Sequence, residues 1–214
     1  MKKKILIFSA GPAGREVFQL ILNINKFKNE WEVIGYVDDD KNKIGKTIDN
    51  IEVFSTANKP KKKEIYAISG IMDSSIRKKI FNEEILKNGY QVTNLIHPLV
   101  EKPKCFQVGL GNIIFGNVHI SFEVNIKNFS IISNFCDLGH NLITNDYCTI
   151  MPSVVIGGNC EIGEKTLISS GVIIHQGIKI GTNCTIGMGT LITGNIKNNT
   201  SIINYPRQVK KENI

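Results

Sequence analysis

From Val108 onward, every sixth residue is aliphatic: Ile114, Ile120, Ile126, Ile132, Leu138, Ile150, Ile156, Ile162, Ile168, Ile174, Ile180, Ile186 and Ile192 follow the pattern, and only Thr144 departs from it. An amphipathic α-helix repeats its apolar stripe about every 3.6 residues, so this spacing excludes one. A fixed short period marks a solenoid whose turns stack into one continuous core. The expected coil is triangular and made of three hexapeptides, with neighbouring coils about 4.8 Å apart, the spacing of paired strands. Four residues after each aliphatic position stands a mostly small or β-branched residue, among them Val118, Val124, Ser130, Cys136, Cys148, Val154, Cys160, Thr166, Val172, Cys184 and Thr190. Glycine often follows the aliphatic residue directly, as at Gly109, Gly139, Gly157, Gly163, Gly181 and Gly187. The register assigns four of the five cysteines to packing, because a free cysteine behaves as a small hydrophobe. Cys105 lies before the repeat and no C-x-x-C pair is present, so a zinc site of that type is not indicated.

The first half has another rhythm. Lys4 to Phe8 reads as a buried strand and leads into Ser9-Ala10-Gly11-Pro12-Ala13-Gly14. Arg15 to Asn23 reads as a helix with Val17, Leu20 and Ile21 on one face. Trp31 to Val37 is a second strand ending in Asp38-Asp39-Asp40, and Glu64 to Ile68 a third. Ser74 to Asn88 is a helix stopped by Gly89, and Val92 to Ile96 a last strand. Alternating strands and helices predict a parallel sheet. The expected division is a Rossmann-like α/β domain over 1–98 and a parallel β-helix over 99–214.

The net charge of +7 suits phosphorylated partners. Aromatic residues are not interleaved with the basic ones, which argues against nucleic-acid stacking. Met1-Lys2-Lys3-Lys4 before Ile5-Leu6-Ile7-Phe8 superficially resembles a signal peptide, but the apolar run is short and ends in a glycine loop. No stretch approaches the roughly 20 apolar residues of a membrane helix. Membrane insertion is not expected, and the reading is cytoplasmic.

Taken together, Ile5 to Glu16, Gly35 to Asp40, Leu95-Ile96-His97-Pro98, the hexad repeat and the tail with Asn204-Tyr205-Pro206 resemble the sialic acid O-acetyltransferase-like sugar acyltransferases. That family includes N-acetyltransferases of nucleotide-linked 4-amino-4,6-dideoxy sugars used in surface glycans. The resemblance implies a left-handed β-helix, acetyl-CoA as co-substrate, a nucleotide-activated sugar as acceptor, no metal, and a homotrimer with its active site between subunits.

The resemblance also assigns residues. His140, in Asp137-Leu138-Gly139-His140-Asn141, takes the place of the general base. An imidazole with a pKa near about 6.5 is largely neutral at pH 7 and suits that role. The family orients its base with a neighbouring carboxylate; here Asn141 stands there, whose amide oxygen can receive the ring N–H. Gly158, one coil on, would donate its N–H to the acetyl carbonyl. Thr149 stands where the family often has a second His near the thioester. Ser170, Gly171, Met188 and Gly189 would line the pantetheine path, and Lys197, Arg207, Lys210 and Lys211 could meet cofactor phosphates. For the nucleotide sugar the resemblance implies Gly11, Ala13, Gly14, Asp38, Asp39 and Ser69, with Gly70 beside it. Ala13 replaces a family histidine.

Other readings remain. A glycine loop between strand and helix also serves nicotinamide enzymes, but Ser9 replaces the first glycine of G-x-G-x-x-G. Some hexapeptide β-helices hold a metal between three histidines, whereas His119, His140 and His175 occupy different phases of the repeat. An O-acetyltransferase acting on a sialic-acid-like sugar is the alternative within the class. A non-catalytic scaffold or sugar-nucleotide sensor is the alternative outside it.

Overall fold

The computed structural model describes residues 1–61 and 64–203. Asn204-Tyr205-Pro206, Arg207, Lys210 and Lys211 lie outside the described residues. The α/β part runs β1 (Lys3–Phe8), α1 (Pro12–Phe27), β2 (Trp31–Val37), β3 (Thr47–Ile48), β4 (Ile51–Phe54), β5 (Tyr66–Ser69), α2 (Ser74–Lys79) and β6 (Gln91–Val92). After α2 the helix continues over Ile80–Leu86 wound as a π-helix. The sheet order is β3-β4-β2-β1-β5-β6, parallel except for the β3–β4 hairpin. Val17, Leu20 and Ile21 are buried on α1, as the helical spacing predicts.

Two elements differ from the sequence reading. The hairpin β3–β4 was not expected; its turn residues Asp49 and Asn50 both have positive φ (53° and 62°), the conformation two-residue hairpins favour. The single strand expected over Val92 to Ile96 is split. Val92 pairs with β5, whereas β7 (Leu95–Ile96) pairs with Ile113–Ile114 and is the first rung of the solenoid. The change of partner at Thr93-Asn94 therefore comes before the expected division at residue 98, and sequence periodicity cannot see which sheet a short apolar run joins.

Every sixth residue from Gly111 to Gly189 has a positive φ, and the residues between form two-residue strands. Most of these corner residues are not glycine; Asn117, Asn141, Asn159 and Asn183 carry the side chain that best tolerates the left-handed conformation. Each corner turns the chain onto the next of three flat parallel faces. Face one carries His119, Asp137, Val155, Ile173 and Leu191 outward. Face two carries Gln107, Asn125, Ile143, Glu161 and Lys179. Face three carries Leu95, Ile113, Ile131, Thr149, Leu167, Thr185 and Ser201. Coil-to-coil N–H···O=C bonds, such as Ile131 to Cys148 at 2.9 Å and Thr149 to Thr166 at 3.0 Å, join the stack.

The interior is the aliphatic column together with the small-residue column. Cys136, Cys148, Cys160 and Cys184 are buried, and their Sγ atoms donate to the carbonyls of Met151, Gly163, His175 and Lys197 on the next coil. Burial pushes the thiol pKa up, to about 11 for Cys136 and about 12 for Cys148.

The α/β domain sits on face three. Ile113, Ile131, Phe115 and Tyr147 join its core, and Phe81 packs on Phe129 with ring centroids 4.4 Å apart. Arg77, fully buried, pins the junction. Its guanidinium donates to the carbonyls of Ile71, Met72, Phe129, Tyr147 and Cys148 and to Thr149 Oγ1, at 2.7 to 3.1 Å. Burial lowers its pKa to about 10, so it is charged at neutral pH and is held by carbonyl dipoles.

Thr144, the one non-aliphatic residue in the inward column, is fully buried, and its Oγ1 has no hydrogen-bond partner among the described residues. An unsatisfied buried hydroxyl costs roughly 1–3 kcal/mol. Thr144→Val replaces that hydroxyl with a methyl of the same shape. The expected outcome in chemical denaturation is a stability gain of about 1 kcal/mol with an unchanged m-value.

Candidate active site

The corner between faces one and two stacks Phe122, His140, Gly158 and Gln176, each followed by its positive-φ partner Glu123, Asn141, Asn159 or Gly177. The stack is in register: Asn159 N–H donates to His140 O at 2.7 Å and Gly177 N–H to Gly158 O at 2.8 Å. The His140 imidazole lies flat on Phe122, ring centroids 5.1 Å apart and planes 7° apart. On its other side is Gly158. A Cβ there would run into the imidazole, with Nε2 the nearest atom. Gly158 has no positive φ, so the glycine is required by this close approach and not by its backbone conformation.

His140 Nδ1 is 2.8 Å from Asn141 Oδ1, as the sequence reading expects. Asn141 Nδ2 in turn donates to Glu123 Oε2, one coil below. Sequence reasoning did not single out Glu123; its signal is arithmetic, since it lies 18 residues before Asn141 and hence in the same phase. His140 Nε2 has no hydrogen-bond partner among the described residues. The Gly158 N–H likewise has no acceptor among the described residues. Corresponding N–H groups elsewhere are capped from the next coil, Leu110 by Asn128, Asn128 by Asp146 and Thr182 by Asn198, at 2.9 Å each. A cavity of about 490 Å³ opens beside the corner on face two, lined by Lys104, Cys105, Phe106, Glu123, Asn125 and Asn141 among others.

Thr149 is a correction. It projects from face three, is fully buried beneath the α/β domain, and its hydroxyl donates to Met72 O and accepts from Arg77, both at 2.9 Å. It is a joint between domains, inaccessible to a thioester. The cause is the triangular coil: nine residues past His140 the chain has crossed a face and reached the next one. Ser170-Gly171 and Met188-Gly189 stack on the corner between faces three and one, with Gly189 N–H bonded to Ser170 O at 2.9 Å. Within one chain they are separated from His140 by the width of face one.

The N-terminal candidates gather at the carboxyl ends of β1, β2 and β5, the switch point of the sheet, where ligands bind in open α/β sheets. Gly11 caps α1, and the N–H groups of Ala13 and Gly14 in its first turn have no protein acceptor among the described residues, a setting that favours anions. Ser9 holds φ 110°, a region glycine enters freely, at a cost of roughly 1–3 kcal/mol; its Oγ accepts from Gly11 N–H at 3.1 Å. A Cβ on Gly14 would strike Ser9 O, and one on Gly70 would lie 2.7 Å from Gly14 Cα, so both glycines let helix and strands approach. Asp38 accepts from Ala10 N–H at 2.9 Å and pairs with Lys43 at 3.0 Å. Burial raises its pKa, but the N–H groups of Ala10 and Asp40 and the Lys43 ammonium outweigh that and hold it below the usual carboxylate range. Asp39 accepts from the Thr56 N–H and hydroxyl. The Ser69 hydroxyl is fully buried and unpartnered among the described residues.

The other histidines do not converge on His140. His119 pairs with Asp137 at 2.8 Å on face one, and His175 Nδ1 lies 3.1 Å from Gln176 O. No group of three His, Cys, Asp or Glu side chains able to hold a metal is found among the described residues.

Residues 4–84 match the PglD N-terminal domain family, and residues 159–194 match the bacterial transferase hexapeptide (six repeats) family. Both matches fall where the resemblance read from the sequence puts them and bear it out. No curated protein matches the chain. Among solved structures, PerB from Caulobacter crescentus in complex with CoA and GDP-perosamine has a TM-score of 0.84 at 19% identity, over 97% of each chain. The acetyltransferase domain of PglB from Neisseria gonorrhoeae FA1090, in complex with acetyl coenzyme A, has a TM-score of 0.84 at 19% identity, over 95% of this chain and 97% of that one. WeeI from Acinetobacter baumannii AYE has 0.75 at 19%, over 94% and 96%. These likenesses establish the two-part fold, an α/β Rossmann-like domain followed by a hexapeptide β-helix.

Gly158→Ala tests the close approach. The added methyl should push the imidazole aside while the chain folds, because the alanine needs no unusual φ and the atoms it meets belong to the end of a side chain, not to backbone. Displacing a catalytic group by about 1 Å can cost roughly 100-fold in rate. The expected outcome is a drop of that order in any His140-dependent turnover, with the thermal midpoint little changed.

Proposed function

We propose that this chain is an acetyl-CoA-dependent acetyltransferase acting on the amino group of a nucleotide-linked amino-deoxy sugar, of the 4-amino-4,6-dideoxyhexose kind, in surface-glycan biosynthesis. The observation that carries the reading is an imidazole held at Nδ1, with its Nε2 unpartnered and seated against a bare glycine. His140 Nε2 takes the proton as the sugar amine attacks the thioester carbonyl. The carbonyl oxygen becomes an oxyanion, to which the Gly158 N–H, without an acceptor among the described residues, donates. The tetrahedral intermediate then collapses, the C–S bond breaks, and the imidazolium returns the proton to CoA sulfur. The products are the N-acetylated sugar and free CoA, and no metal is required. The first turn of α1, with Gly11, Ala13 and Gly14, binds the sugar nucleotide's diphosphate. Asp38 and Asp39 already hold their own loops, so they shape the base and ribose pocket more than they contact it. Buried Ser69 supports the crevice floor. The free buried thiols suit a cytoplasmic setting. Among the described residues, no helix is long and apolar enough to cross a membrane.

Two features support a homotrimer. The α/β domain covers face three, and His140 stands on the opposite edge of the prism, so the solenoid lies between one chain's α/β domain and its own base. Face one exposes an apolar ladder of Val155, Ile173 and Leu191 that a second copy would cover. A neighbour packed there would bring its Ser170-Gly171 and Met188-Gly189 corner towards His140 and build the pantetheine path from two chains.

Thiol release from acetyl-CoA in the presence of UDP-, GDP-, dTDP- and CMP-linked 4-amino-4,6-dideoxy sugars is the test. One of these should be acetylated, and His140→Ala should fall about 10²–10⁴-fold while remaining folded. Full activity in that variant sinks the assignment of the base. In sedimentation the active species should be a trimer; an active monomer refutes the shared site.

A further inference from the structure

We infer that Glu123 is the positioning residue that selects the His140 tautomer, acting through Asn141 across one coil; the inference rests on the acetyltransferase reading above. An amide side chain next to a histidine is ambiguous in itself, because it can present either its oxygen or its NH₂ to the ring. With the NH₂ towards His140, Nδ1 would have to accept, the proton would sit on Nε2, and the base would be lost. A carboxylate accepts hydrogen bonds and has none to give. Glu123 Oε2 therefore holds the Asn141 NH₂, which leaves Asn141 Oδ1 facing His140 Nδ1 at 2.8 Å. An amide oxygen only accepts, so Nδ1 carries the proton and Nε2 keeps its lone pair. When the ring takes a second proton in the reaction, the negative charge of Glu123 stabilises it through the polarised amide.

The surroundings make Glu123 the acid placed for this. Phe122 covers one side of the ring, and Gly158 with Asn159 on the coil above brings no charge. On face one, Asp137 is engaged by His119, and His175 lies against Gln176 O. On face two, Glu161 pairs with Lys179 at 3.7 Å. From the coil below, Lys104 and Cys105 line the same cavity as Glu123, and the Glu123 N–H is bonded to Cys105 Sγ at 3.1 Å, which fixes the corner. Glu123 and Asn141 both occupy positive-φ corners, at 56° and 55°.

The test uses the full-length chain, acetyl-CoA and the best acceptor of the nucleotide-sugar panel, with Glu123→Gln, Asn141→Asp, both together, and His140→Ala. Glu123→Gln should lower kcat about 10-fold, in line with other losses of an orienting partner. KM for acetyl-CoA should stay within about twofold, since no binding contact is removed. The acidic limb of kcat/KM should move to lower pH, because the imidazolium loses a nearby negative charge. With Asn141→Asp a carboxylate meets Nδ1 directly, so adding Glu123→Gln should restore activity instead of reducing it. Nitrogen-15 NMR of the histidine rings above pH 8 should show His140 protonated at Nδ1 in the unaltered chain and as a tautomer mixture in Glu123→Gln. An unchanged kcat and acidic limb in Glu123→Gln, or an unaltered chain protonated at Nε2, overturns the inference while an inactive His140→Ala leaves the enzyme reading standing. An active His140→Ala overturns that reading instead.

Discussion

The solenoid depends on one backbone constraint: every sixth residue must turn through the left-handed region. For most L-residues this is an unfavourable conformation, tolerated best by glycine and asparagine. The cost is met by what each turn permits, which is a flat two-residue strand paired above and below and an aliphatic side chain buried in the prism. Phe129, Phe135, Tyr147 and Lys165 hold the same conformation without either preference. There the ladder and the core override local propensity.

Because corners repeat every coil, they are also where side chains from different coils meet in columns, and the three edges have separate uses. One edge presents Phe129 and Tyr147, stacked 4.9 Å apart, and Arg77 binds the carbonyls beside them. That edge joins the two halves of the chain. A guanidinium buried without a carboxylate is tolerable only when its donors are satisfied, and here carbonyl dipoles and one hydroxyl satisfy them. A second edge carries the bare pairs Ser170-Gly171 and Met188-Gly189. The third carries His140. The docking of the α/β domain on face three thus occupies the first edge and leaves the edge with Met188 and the edge with His140 uncovered.

Much of this was legible in the sequence because the period of six runs from Val108 to Ile192 with Thr144 as its one departure. The inward column, the small-residue column and the packing role of four cysteines all follow from it. So does the placement of Gly158 above His140, since 18 residues make one coil. What escaped were properties set by tertiary contact. Leu95–Ile96 reads as the end of an α/β sheet, and only the identity of its partner makes it the first rung. Thr149 stands where the resemblance expects a residue near the thioester; its face follows from the coil, but its burial is settled by the α/β domain that lands on that face. The hairpin at Asp49-Asn50 is the exception: its turn residues tolerate positive φ, but strands of two and four residues are too short to show a period of two. Glu123 has no local signature at all, and its role appears once residues are compared by phase along the coil.

The same stacking of phases accounts for Asn141, the least expected residue of the candidate site. An acid at position 141 would complete a histidine–carboxylate pair within the corner. Stacked one coil above Glu123, it would place two carboxylates within hydrogen-bond reach of each other. Two such groups cannot both stay ionised without strong mutual destabilisation, and one of them would have its pKa driven up. An amide has the same shape and the same tolerance of a left-handed corner, and it can donate downward while accepting from the ring. Asn141 is therefore not a weakened version of a carboxylate in this chain. It is the side chain that a carboxylate already present in the coil below requires.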